Sequence, residues 1–497
     1  MKSSGRSVPL TASIVWNLAA GGWAGVLIVA ATPVLVGRYG IDGFGVIGLW
    51  ISLQVVLGVF DLGLSSTLSR ELARSKGGAG FSHADVFVTF ERAAWCVTLF
   101  ISLLLIGLGA AGLADRIQSP GLPPDELRLS LGLMATALVV QFPSILYAGG
   151  MSGVHQHRVA NLIQITINGF RWGGGIVLAL TSAPLHDFFL MQVGVAAIQS
   201  GSLRFALRRV IEGYDSGRFR VGILRAHFAF AMGMAGTSIV GVVIANTDRL
   251  LISQMLSTTD LGRYAVAFVA CSVIQMLLVP FYRVFFPRYS QLHGEGNERT
   301  LLREYFTSNR WLSGLVVPTV VCMCVFTPEA LVVWMGEAEP DTTDIMRLLL
   351  IGVGMAALGW LPGAIQQAYG STTLHLAMLV GALVVGLPVA VLCVNLFGAA
   401  GATAVWLVHG ALSVLVEPWL MHRRVLRGYV AEWYAVSLVV PLVPAATVAL
   451  LSSWLLPSGI GRWSLLVWLA VTGGIALAAA LAAQSVAIHH AFRGDKT

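Results

Sequence analysis

The 497-residue sequence contains few charged residues. Only 11% of its residues are Asp, Glu, Lys or Arg, whereas 56% are hydrophobic, and the mean hydropathy is +0.79. Soluble domains carry roughly 25% charged residues, so a water-soluble globule of this size is excluded. Apolar runs of about 20 residues, long enough to cross a bilayer, recur from end to end. We therefore interpret the chain as an all-α polytopic membrane protein.

Lysine is almost missing, because the 31 basic residues include only Lys2, Lys76 and Lys496. The others are arginines, and most of them lie in short loops between apolar runs. The net charge of +7 therefore does not indicate a nucleic-acid partner. It indicates topology, since the cytoplasmic loops of membrane proteins carry an excess of basic residues. Contact with anionic lipid headgroups is a secondary role for these arginines.

The sequence also lacks long loops and a nucleotide-binding motif. No connection between apolar runs exceeds about 25 residues, which leaves no room for a soluble catalytic domain. No G-x-x-x-x-G-K-[ST] motif is present, so ATP is not expected to be the direct energy source. We expect no enzyme activity. The alternative of a different class is a multispanning glycan polymerase or ligase, although such enzymes generally need a large outer loop.

Cysteine and histidine give no sign of a metal or cofactor site. Cys322 and Cys324 differ by two positions, which places them about 200° apart on a helix and excludes a shared metal or disulfide. The stretch from His155 to Arg158 is predicted to be a solvated loop rather than a metal site. All five cysteines fall inside apolar runs and are predicted to be small buried hydrophobes: Cys96, Cys271, Cys322, Cys324 and Cys393.

Hydropathy places fourteen membrane spans along the chain. The first is too long for the core of a signal peptide, so we interpret it as an uncleaved span. The distribution of arginine places both termini in the cytoplasm. Tryptophans near span ends, such as Trp433, Trp454 and Trp463, are predicted to be interfacial anchors. The spans lie approximately at 13–36, 45–68, 91–114, 127–150, 159–180, 185–207, 227–251, 262–286, 310–335, 345–368, 374–396, 400–421, 432–455 and 463–487.

A weak internal repeat links the two halves of the sequence. Gly45 and Gly262 align at an offset of 217 residues, and each opens the next span. This spacing predicts two six-helix lobes in parallel repeat, over 1–225 and 226–425, followed by two additional spans and a short tail over 426–497. Such lobes usually form a transport pathway at their interface.

Two segments resemble a known family of membrane proteins. The segment from Phe44 to Arg74, which contains Asp61–Leu64 and then Ser69–Arg70, resembles the second span of polysaccharide-transporter flippases. The stretch Asn246–Ile252, with Asp260–Tyr264 beyond it, resembles the seventh-to-eighth span region of the same proteins. These are Wzx-type proteins of the multidrug/oligosaccharidyl-lipid/polysaccharide (MOP) exporter superfamily.

The resemblance implies a substrate and a location. It implies translocation of a polyprenyl-pyrophosphate-linked oligosaccharide, a repeat unit of exopolysaccharide, capsule or O-antigen, across the bacterial inner membrane. A proton or sodium gradient would drive the lobes between two access states, with no other cofactor. Membrane lipids, a polysaccharide polymerase and chain-length machinery would be the partners. A lipid II flippase or a multidrug antiporter is the alternative within the superfamily.

The fifth span carries the polar residues that we predict to bind substrate. Asn161, Gln164, Asn168 and Arg171 fall within an arc of about 80° on a regular helix. An arginine at mid-span costs about 2.5–3.5 kcal/mol on insertion scales, so it should face water, a carboxylate or an anionic ligand. A substrate cavity and a structural ion pair both remain open.

Other polar residues at membrane depth are candidates for coupling or gating. In the second span, Asp61 lies near Gln54 on the same face, and it could pair with an arginine, carry a proton or brace the turn into the inner loop. In the twelfth span, His409 and Glu417 share a face, as either a proton path or a core histidine with an inner-end glutamate.

Two adjacent charged residues near the outer end of span seven are the last candidates for coupling or gating. Asp248 and Arg249 should point in different directions, each toward another helix, where they would lock a lobe. Gln192 and Gln199 on span six and Gln275 on span eight either line the same cavity or join neighbouring helices.

Overall fold

The structure is a computed structural model that describes residues 10–73, 82–112, 117–211, 213–369 and 372–491. Helices make up almost all of this part of the chain, as the sequence predicts. The chain divides into two compact units, Met1–Gly262 and Arg263–Thr497. The boundaries of the two predicted lobes stay a prediction. The termini, predicted to be cytoplasmic, lie outside the described residues.

The first unit contains the helices that precede residue 262. The longest, α1, is kinked at Gly40, whose φ of 70° and ψ of 175° are not helical. This kink separates the first two predicted spans. The helices are α1 (Leu10–Phe60), α2 (Leu64–Ala73), α3 (His83–Ala110), α4 (Pro124–Gln141), α5 (Pro143–Gly153), α6 (His157–Asn168), α7 (Gly174–Leu180), α8 (Leu185–Val210), α9 (Val221–Met255) and the beginning of α10 (Thr258–Gly294).

The second unit begins within α10. Two of its helical regions are interrupted by π turns, at Leu412–Val416 and Ala435–Val439. Its remaining helices are α11 (Glu298–Val325), α12 (Thr327–Met335), α13 (Pro340–Leu358), α14 (Trp360–Ala368), α15 (Thr372–Phe397), α16 (Ala399–Ala402), α17 (Ala404–Ala411), α18 (Glu417–Arg424), α19 (Val430–Tyr434), α20 (Val440–Trp454) and α21 (Arg462–Ala491).

Helices occupy the positions of all fourteen predicted spans. Within the described residues, nine helical segments are long and apolar enough to cross a membrane, so the count of fourteen crossings stays a prediction. Trp454 and Trp463 are 84% and 79% exposed, as side chains anchored at a membrane interface would be. Trp433, which was also predicted to be an interfacial anchor, is instead fully buried, and its indole N–H donates to Asn309 Oδ1 over 3.2 Å.

Buried Glu91 on α3 organises one end of the first unit. Its carboxylate accepts hydrogen bonds from Arg204 Nε at 2.7 Å, the Tyr147 hydroxyl at 2.9 Å and the Tyr214 hydroxyl at 3.1 Å. Burial and the charge of Glu91 raise the pKa of Tyr214, which lies in the loop after α8. Part of the basic loop after α8 is therefore fixed to the helices of the first unit.

The two glycines of the internal repeat contact each other's segments reciprocally. A Cβ at Gly45 would lie 2.1 Å from the carbonyl oxygen of Thr258, and one at Gly262 would lie 2.0 Å from that of Ile41. Ile41 and Thr258 are also 217 positions apart, so the contact has the symmetry that the repeat predicts. Asp42 Oδ1 adds a hydrogen bond from the Thr258 hydroxyl at 2.6 Å.

Candidate substrate site around Arg171

Arg171 lies in a π turn, Gly169–Gly173, between α6 and α7. Such turns insert one residue into an α-helix and are frequent at functional sites. Glycines within and after the turn weaken the local preference for a regular α-helix. The side chain is buried, with 6% of its surface exposed. The turn thus places a permanent positive charge inside the first unit.

Three glutamine side chains from three other helices hold the guanidinium. Arg171 Nη1 donates to Gln54 Oε1 of α1 at 3.2 Å. Its Nη2 donates to Gln199 Oε1 of α8 at 3.2 Å and to Gln141 Oε1 of α4 at 3.4 Å. Because a guanidinium can only donate, each glutamine must present its oxygen, and its amide nitrogen is left to donate elsewhere.

These amide nitrogens extend the network. Gln141 Nε2 donates to Gln54 Oε1 at 3.2 Å, and Gln199 Nε2 donates to Gln164 Oε1 at 3.3 Å. Gln164 Nε2 lies 3.5 Å from Asn168 Oδ1, at the limit of a hydrogen bond. The amide network therefore connects α1, α4 and α8 with α6 through donors and acceptors that carry no charge.

An indole ring covers one side of the guanidinium. The central carbon of Arg171 lies 5.3 Å from the centroid of Trp50, within the range of a cation–π interaction. Trp50 is fully buried and makes edge contacts with Trp172, Phe188 and Phe189, at centroid distances of 6.1, 5.9 and 6.3 Å. Tight aromatic packing thus fixes the surface on which the arginine rests.

The charge of Arg171 is not neutralised by a carboxylate in the described part of the chain. All of its side-chain contacts there are amide oxygens and the Trp50 ring, and its buried Nε has no hydrogen-bond partner. A buried cation with neutral partners is the arrangement that an anionic ligand can complete. A structural ion pair, one of the two interpretations of Arg171, needs an acidic partner, and the described residues supply none.

The predicted stripe on span five is only partly assembled at this site. Gln164 and Asn168 belong to the network around Arg171, and Asn161, one turn before Gln164, also makes an interaction. Sequence reasoning missed Gln141 and Trp50. Gln141 carried a usable signal, since it is an isolated polar residue inside an apolar run.

The glutamines of spans six and eight divide between the two units. Gln199 joins α8 to the guanidinium of Arg171, and Gln192 Nε2 donates to the carbonyl oxygen of Arg171 at 3.4 Å. Both therefore join neighbouring helices, as one of the two predictions for them required. Gln275 belongs to the second unit.

Asp61 caps the helix that follows it. Leu62 and Gly63 have φ values of 47° and 74°, which turn the chain sharply between α1 and α2. Asp61 then accepts hydrogen bonds from the Ser65 backbone N–H at 3.1 Å and the Ser65 hydroxyl at 2.6 Å. These contacts are the ones expected of a residue that braces the turn.

Glu417 and His409 are separated by the π turn Leu412–Val416. The regular spacing that put both side chains on one face does not apply across this turn. Glu417 is buried and accepts a hydrogen bond from Gln366 Nε2 at 2.8 Å. The His409 ring contacts Trp406, with centroids 6.2 Å apart.

The expectation that Asp248 and Arg249 point in different directions is wrong. Arg249 Nε lies 3.6 Å from Asp248 Oδ1, and the same oxygen accepts the backbone N–H of Arg249 at 2.8 Å. The aspartate side chain is short enough to fold back onto the next residue and meet the arginine there. Both side chains are buried, and both make further interactions.

The histidine loop after α5 has a tight backbone. His155 has a φ of 58°, and the rings of His155 and His157 have centroids 6.3 Å apart. Partial burial and the nearby His155 lower the pKa of His157. Over the described ranges, no three His, Cys, Asp or Glu side chains lie close enough together to hold a metal ion.

The fold is shared with solved transporters of one superfamily. A multidrug resistance MATE family transporter of the MOP superfamily, in an inward-facing conformation, has a TM-score of 0.67 at 13% identity, covering 87% of this chain and 97% of that one. The lipid II flippase MurJ, in an inward closed conformation, has a TM-score of 0.68 at 10% identity, covering 95% and 98%. The chain therefore shares the fold of these two transporters.

Sequence similarity defines the family more narrowly. Residues 41–344 match a family described as "Polysaccharide biosynthesis protein". This match spans more than half of the chain, which therefore belongs to that family. A Shigella flexneri protein named "Putative O-antigen transporter" is 21% identical over 414 residues, 82% of this chain and 97% of that protein. The resemblance to polysaccharide-transporter flippases is confirmed.

Proposed function

We propose that this protein is a flippase that moves a polyprenyl-pyrophosphate-linked oligosaccharide repeat unit across the bacterial inner membrane by alternating access. The observation that carries this proposal is Arg171, a buried guanidinium held only by amide oxygens and an indole face within the described chain. Membership of a polysaccharide biosynthesis family supplies the chemical class of the substrate.

The geometry suits the physical problem of transport. A glycan and its pyrophosphate are strongly hydrated, and they must pass through about 30 Å of hydrocarbon. The planar guanidinium of Arg171 can form paired hydrogen bonds to phosphate or carboxylate oxygens. Gln164, Asn168 and Asn161 would offer donors and acceptors to sugar hydroxyls, while the polyprenyl tail remains in lipid.

An arriving anion would exchange partners with the network. Arg171 would turn donors from Gln54, Gln141 and Gln199 to the anion, and each freed glutamine could rotate its amide nitrogen toward the same oxygens. Because the glutamines are neutral, they hold the guanidinium of Arg171 in place but compete with an incoming anion less strongly than a carboxylate would. Release would restore the amide contacts.

The remaining roles are part of the same proposal. A proton or sodium gradient would drive transport, with no other cofactor and no catalytic step. Asp61, Glu417 and His409 are the coupling candidates, and Asp248 with Arg249 would lock a lobe. Both termini would lie in the cytoplasm, with a polysaccharide polymerase and chain-length machinery as partners.

The test is to replace Arg171 in a strain that lacks the chromosomal gene. Arg171→Ala should block surface polysaccharide and trap lipid-linked repeat units on the cytoplasmic face, at near-normal protein level. Arg171→Lys should retain partial export, because the charge survives but the paired hydrogen bonds are lost. Arg209→Ala is the matched control, since Arg209 contacts Phe205 on the surface of α8 and should be dispensable.

Two results would contradict the proposal. Full export by Arg171→Ala would remove any role for Arg171 in the pathway. Normal surface polysaccharide in the deletion strain, without a redundant transporter, would exclude the flippase function, and loss of peptidoglycan synthesis there would favour a lipid II flippase.

A further inference from the structure

A second group of buried polar side chains lies in the second unit, where α11, α18 and α19 meet. His422 of α18 and Tyr305 of α11 are both fully buried, with ring centroids 5.8 Å apart. The ring of Trp433 on α19 lies 6.3 Å from the His422 ring. The imidazole is thus enclosed by two aromatic side chains from different helices.

The contacts of His422 define which of its nitrogens is basic. Nδ1 lies 2.7 Å from the carbonyl oxygen of Pro418. A carbonyl oxygen only accepts, so Nδ1 must carry the hydrogen and Nε2 holds the lone pair of the neutral ring. Nε2 has no hydrogen-bond partner in the described part of the chain, and neither does the Tyr305 hydroxyl.

The neighbouring polar groups cannot serve Nε2 without breaking other bonds. The indole N–H of Trp433 donates to Asn309 Oδ1 over 3.2 Å. The hydroxyl of Tyr289, whose ring lies 6.2 Å from that of Tyr305, is hydrogen-bonded to Ser308. On α11, the hydroxyl oxygen of Tyr305 has no hydrogen-bond partner among the described residues and can accept from a proton on Nε2.

Two carboxylates provide a negative environment for this pair. Glu432 of α19 interacts electrostatically with His422, and its Oε2 has no hydrogen-bond partner among the described residues. Glu417, on the same helix as His422, interacts electrostatically with Tyr305. A nearby carboxylate favours the charged form of a histidine.

Other elements near α18 add little charge. α14, which packs on α18, contains no titratable residue, and the described side chains of α15 include one titratable group, Cys393. Arg423 and Arg424 of α18 are exposed, and Arg423 stacks on Trp419. The carboxylates that interact electrostatically with this pair are Glu432, with His422, and Glu417, with Tyr305, while α11 itself carries Arg303, Glu304 and Arg310 near Tyr305 in sequence.

We propose that Nε2 of His422 is a proton-binding site that couples the transport cycle to the proton gradient. This inference rests on the proposed flippase function and names its coupling ion. One proton passes from a hydronium ion to the lone pair of Nε2, so that an O–H bond breaks, an N–H bond forms and a neutral water molecule is left. The new N–H donates to the Tyr305 hydroxyl oxygen, which joins α18 to α11, and loss of the proton removes that bond.

Histidine suits this role because its charge changes near physiological pH. Burial makes an imidazolium costly and lowers the pKa of His422, and the charge of Glu432 opposes this effect. Sequence analysis passed over His422 because it lies just beyond the predicted span that ends at residue 421, beside Arg423 and Arg424. The contact with Tyr305 comes from a distant part of the chain, and Glu432 lies on the helix that follows.

The first test measures ionisation directly on the purified full-length protein. Exchange of the imidazole C2 hydrogen, followed by mass spectrometry across pH, reports the titration of each histidine. Because burial lowers the pKa of His422, it should titrate once below the usual range of a histidine, and Glu432→Gln should shift this titration to still lower pH. His157, the first residue of α6, is the internal control and should be unaffected by that substitution.

The second test measures transport in vesicles with an imposed proton gradient. His422→Gln keeps an N–H for the Pro418 carbonyl but cannot take up a proton, so it should lose gradient-driven transport and its pH dependence. Tyr305→Phe should shift the pH profile, because the acceptor is lost while the histidine remains. His157→Gln is the matched control and should transport as the wild type does.

The outcomes separate this inference from the flippase function. Absence of a His422 titration, or a titration that Glu432→Gln leaves unchanged, would overturn the proton site. Wild-type transport by His422→Gln at every pH, in a strain that depends on the gene for export, would overturn the coupling role while the flippase function stands. A normal His422 titration with normal export after gene deletion would instead exclude the flippase.

Discussion

Arg171 shows how an arginine can be kept at membrane depth without an acidic partner. Its insertion costs about 2.5–3.5 kcal/mol, whereas a hydrogen bond to a charged group contributes about 1.5–3 kcal/mol. The contacts with Gln54, Gln141 and Gln199 together can therefore offset the insertion cost. The charge itself is left available for a ligand, because none of these partners carries a charge.

We expect Gln141→Glu to separate stability from export. A carboxylate at this position would form an ion pair with Arg171, so the protein should remain abundant in the membrane. Surface polysaccharide should fall severalfold or more, because the positive charge that meets the substrate would be neutralised. Quantitative blotting and a polysaccharide assay on the same cells would measure both effects.

Two comparisons make this experiment decisive. Gln141→Leu should instead lower protein abundance, since a buried N–H of Arg171 left without its acceptor costs about 1–3 kcal/mol. Gln156→Glu, in the loop before α6, is the matched control and should export normally. Unchanged export by Gln141→Glu would show that the charge of Arg171 is not used.

The sequence predicts that Arg171 is a charge at membrane depth, but it does not predict the side chains that surround it. Arg171 stands out because an intramembrane arginine is costly wherever its helix packs. Its partners Gln54, Gln141 and Gln199 come from three other helices, and their convergence depends on tertiary packing that no local spacing encodes. Trp50 was missed for the same reason, since a tryptophan in an apolar run is usually part of the core.

At the scale of helices, the structure has interruptions that change which side chains share a face, and the sequence does not indicate them. Regular α-helical spacing predicts one face for His409 and Glu417, whereas the π turn Leu412–Val416 lies between them. A π turn adds one residue without a sequence signature of its own, because tertiary contacts select it. The predicted second span, 45–68, likewise runs through the turn at Asp61–Gly63, where Asp61 accepts the capping bonds from Ser65.

Replacing Asp61 should distinguish bracing from proton coupling. Asp61→Asn keeps an oxygen that can accept the Ser65 N–H, so the variant should export normally across pH. Asp61→Ala should lose about 0.5–2 kcal/mol of stability, the usual cost of removing a helix cap, and a lower thermal midpoint would reveal it. Loss of gradient-driven transport by Asp61→Asn at normal abundance would instead make Asp61 a coupling residue.

The reciprocal glycine contact should tolerate no larger residue. Gly45→Ala and Gly262→Ala would each place a Cβ about 2 Å from a backbone carbonyl oxygen, so both should lower membrane abundance and thermal stability strongly. Gly37→Ala is the matched control on the same helix, because no atom lies within 4 Å of its Cβ position. Equal stability of Gly45→Ala and Gly37→Ala would contradict the close approach.

For the whole molecule, the hydropathy pattern predicts the helices well and their grouping less well. Each predicted span coincides with one or more helices, because about 20 apolar residues leave the backbone few other ways to satisfy its hydrogen bonds. The division of the chain at Gly262 follows from packing between helices, which hydropathy does not report. Short motifs near Asp61 and Asp248 were enough to predict the superfamily fold and the family.

Topology can be tested with single cysteines in a cysteine-free background. Cysteine at Arg218 should react with an impermeant maleimide only from the cytoplasm, and cysteine at Glu337 only from the periplasm. Both positions are exposed, whereas Glu339 is hydrogen-bonded to Arg263 over 2.7 Å and suits the experiment less well. Periplasmic labelling at position 218 would overturn the orientation.

The contact between Gly45 and Gly262 also has a consequence for the origin of the chain. Each segment supplies one glycine and one carbonyl oxygen, at Ile41 or Thr258, to the other. This is the form of an isologous interface, in which a surface patch meets a copy of itself. An ancestral half-length chain with one such segment would therefore already have carried the patch with which two identical subunits pair. Gene fusion would then have converted a dimer contact into an intramolecular one.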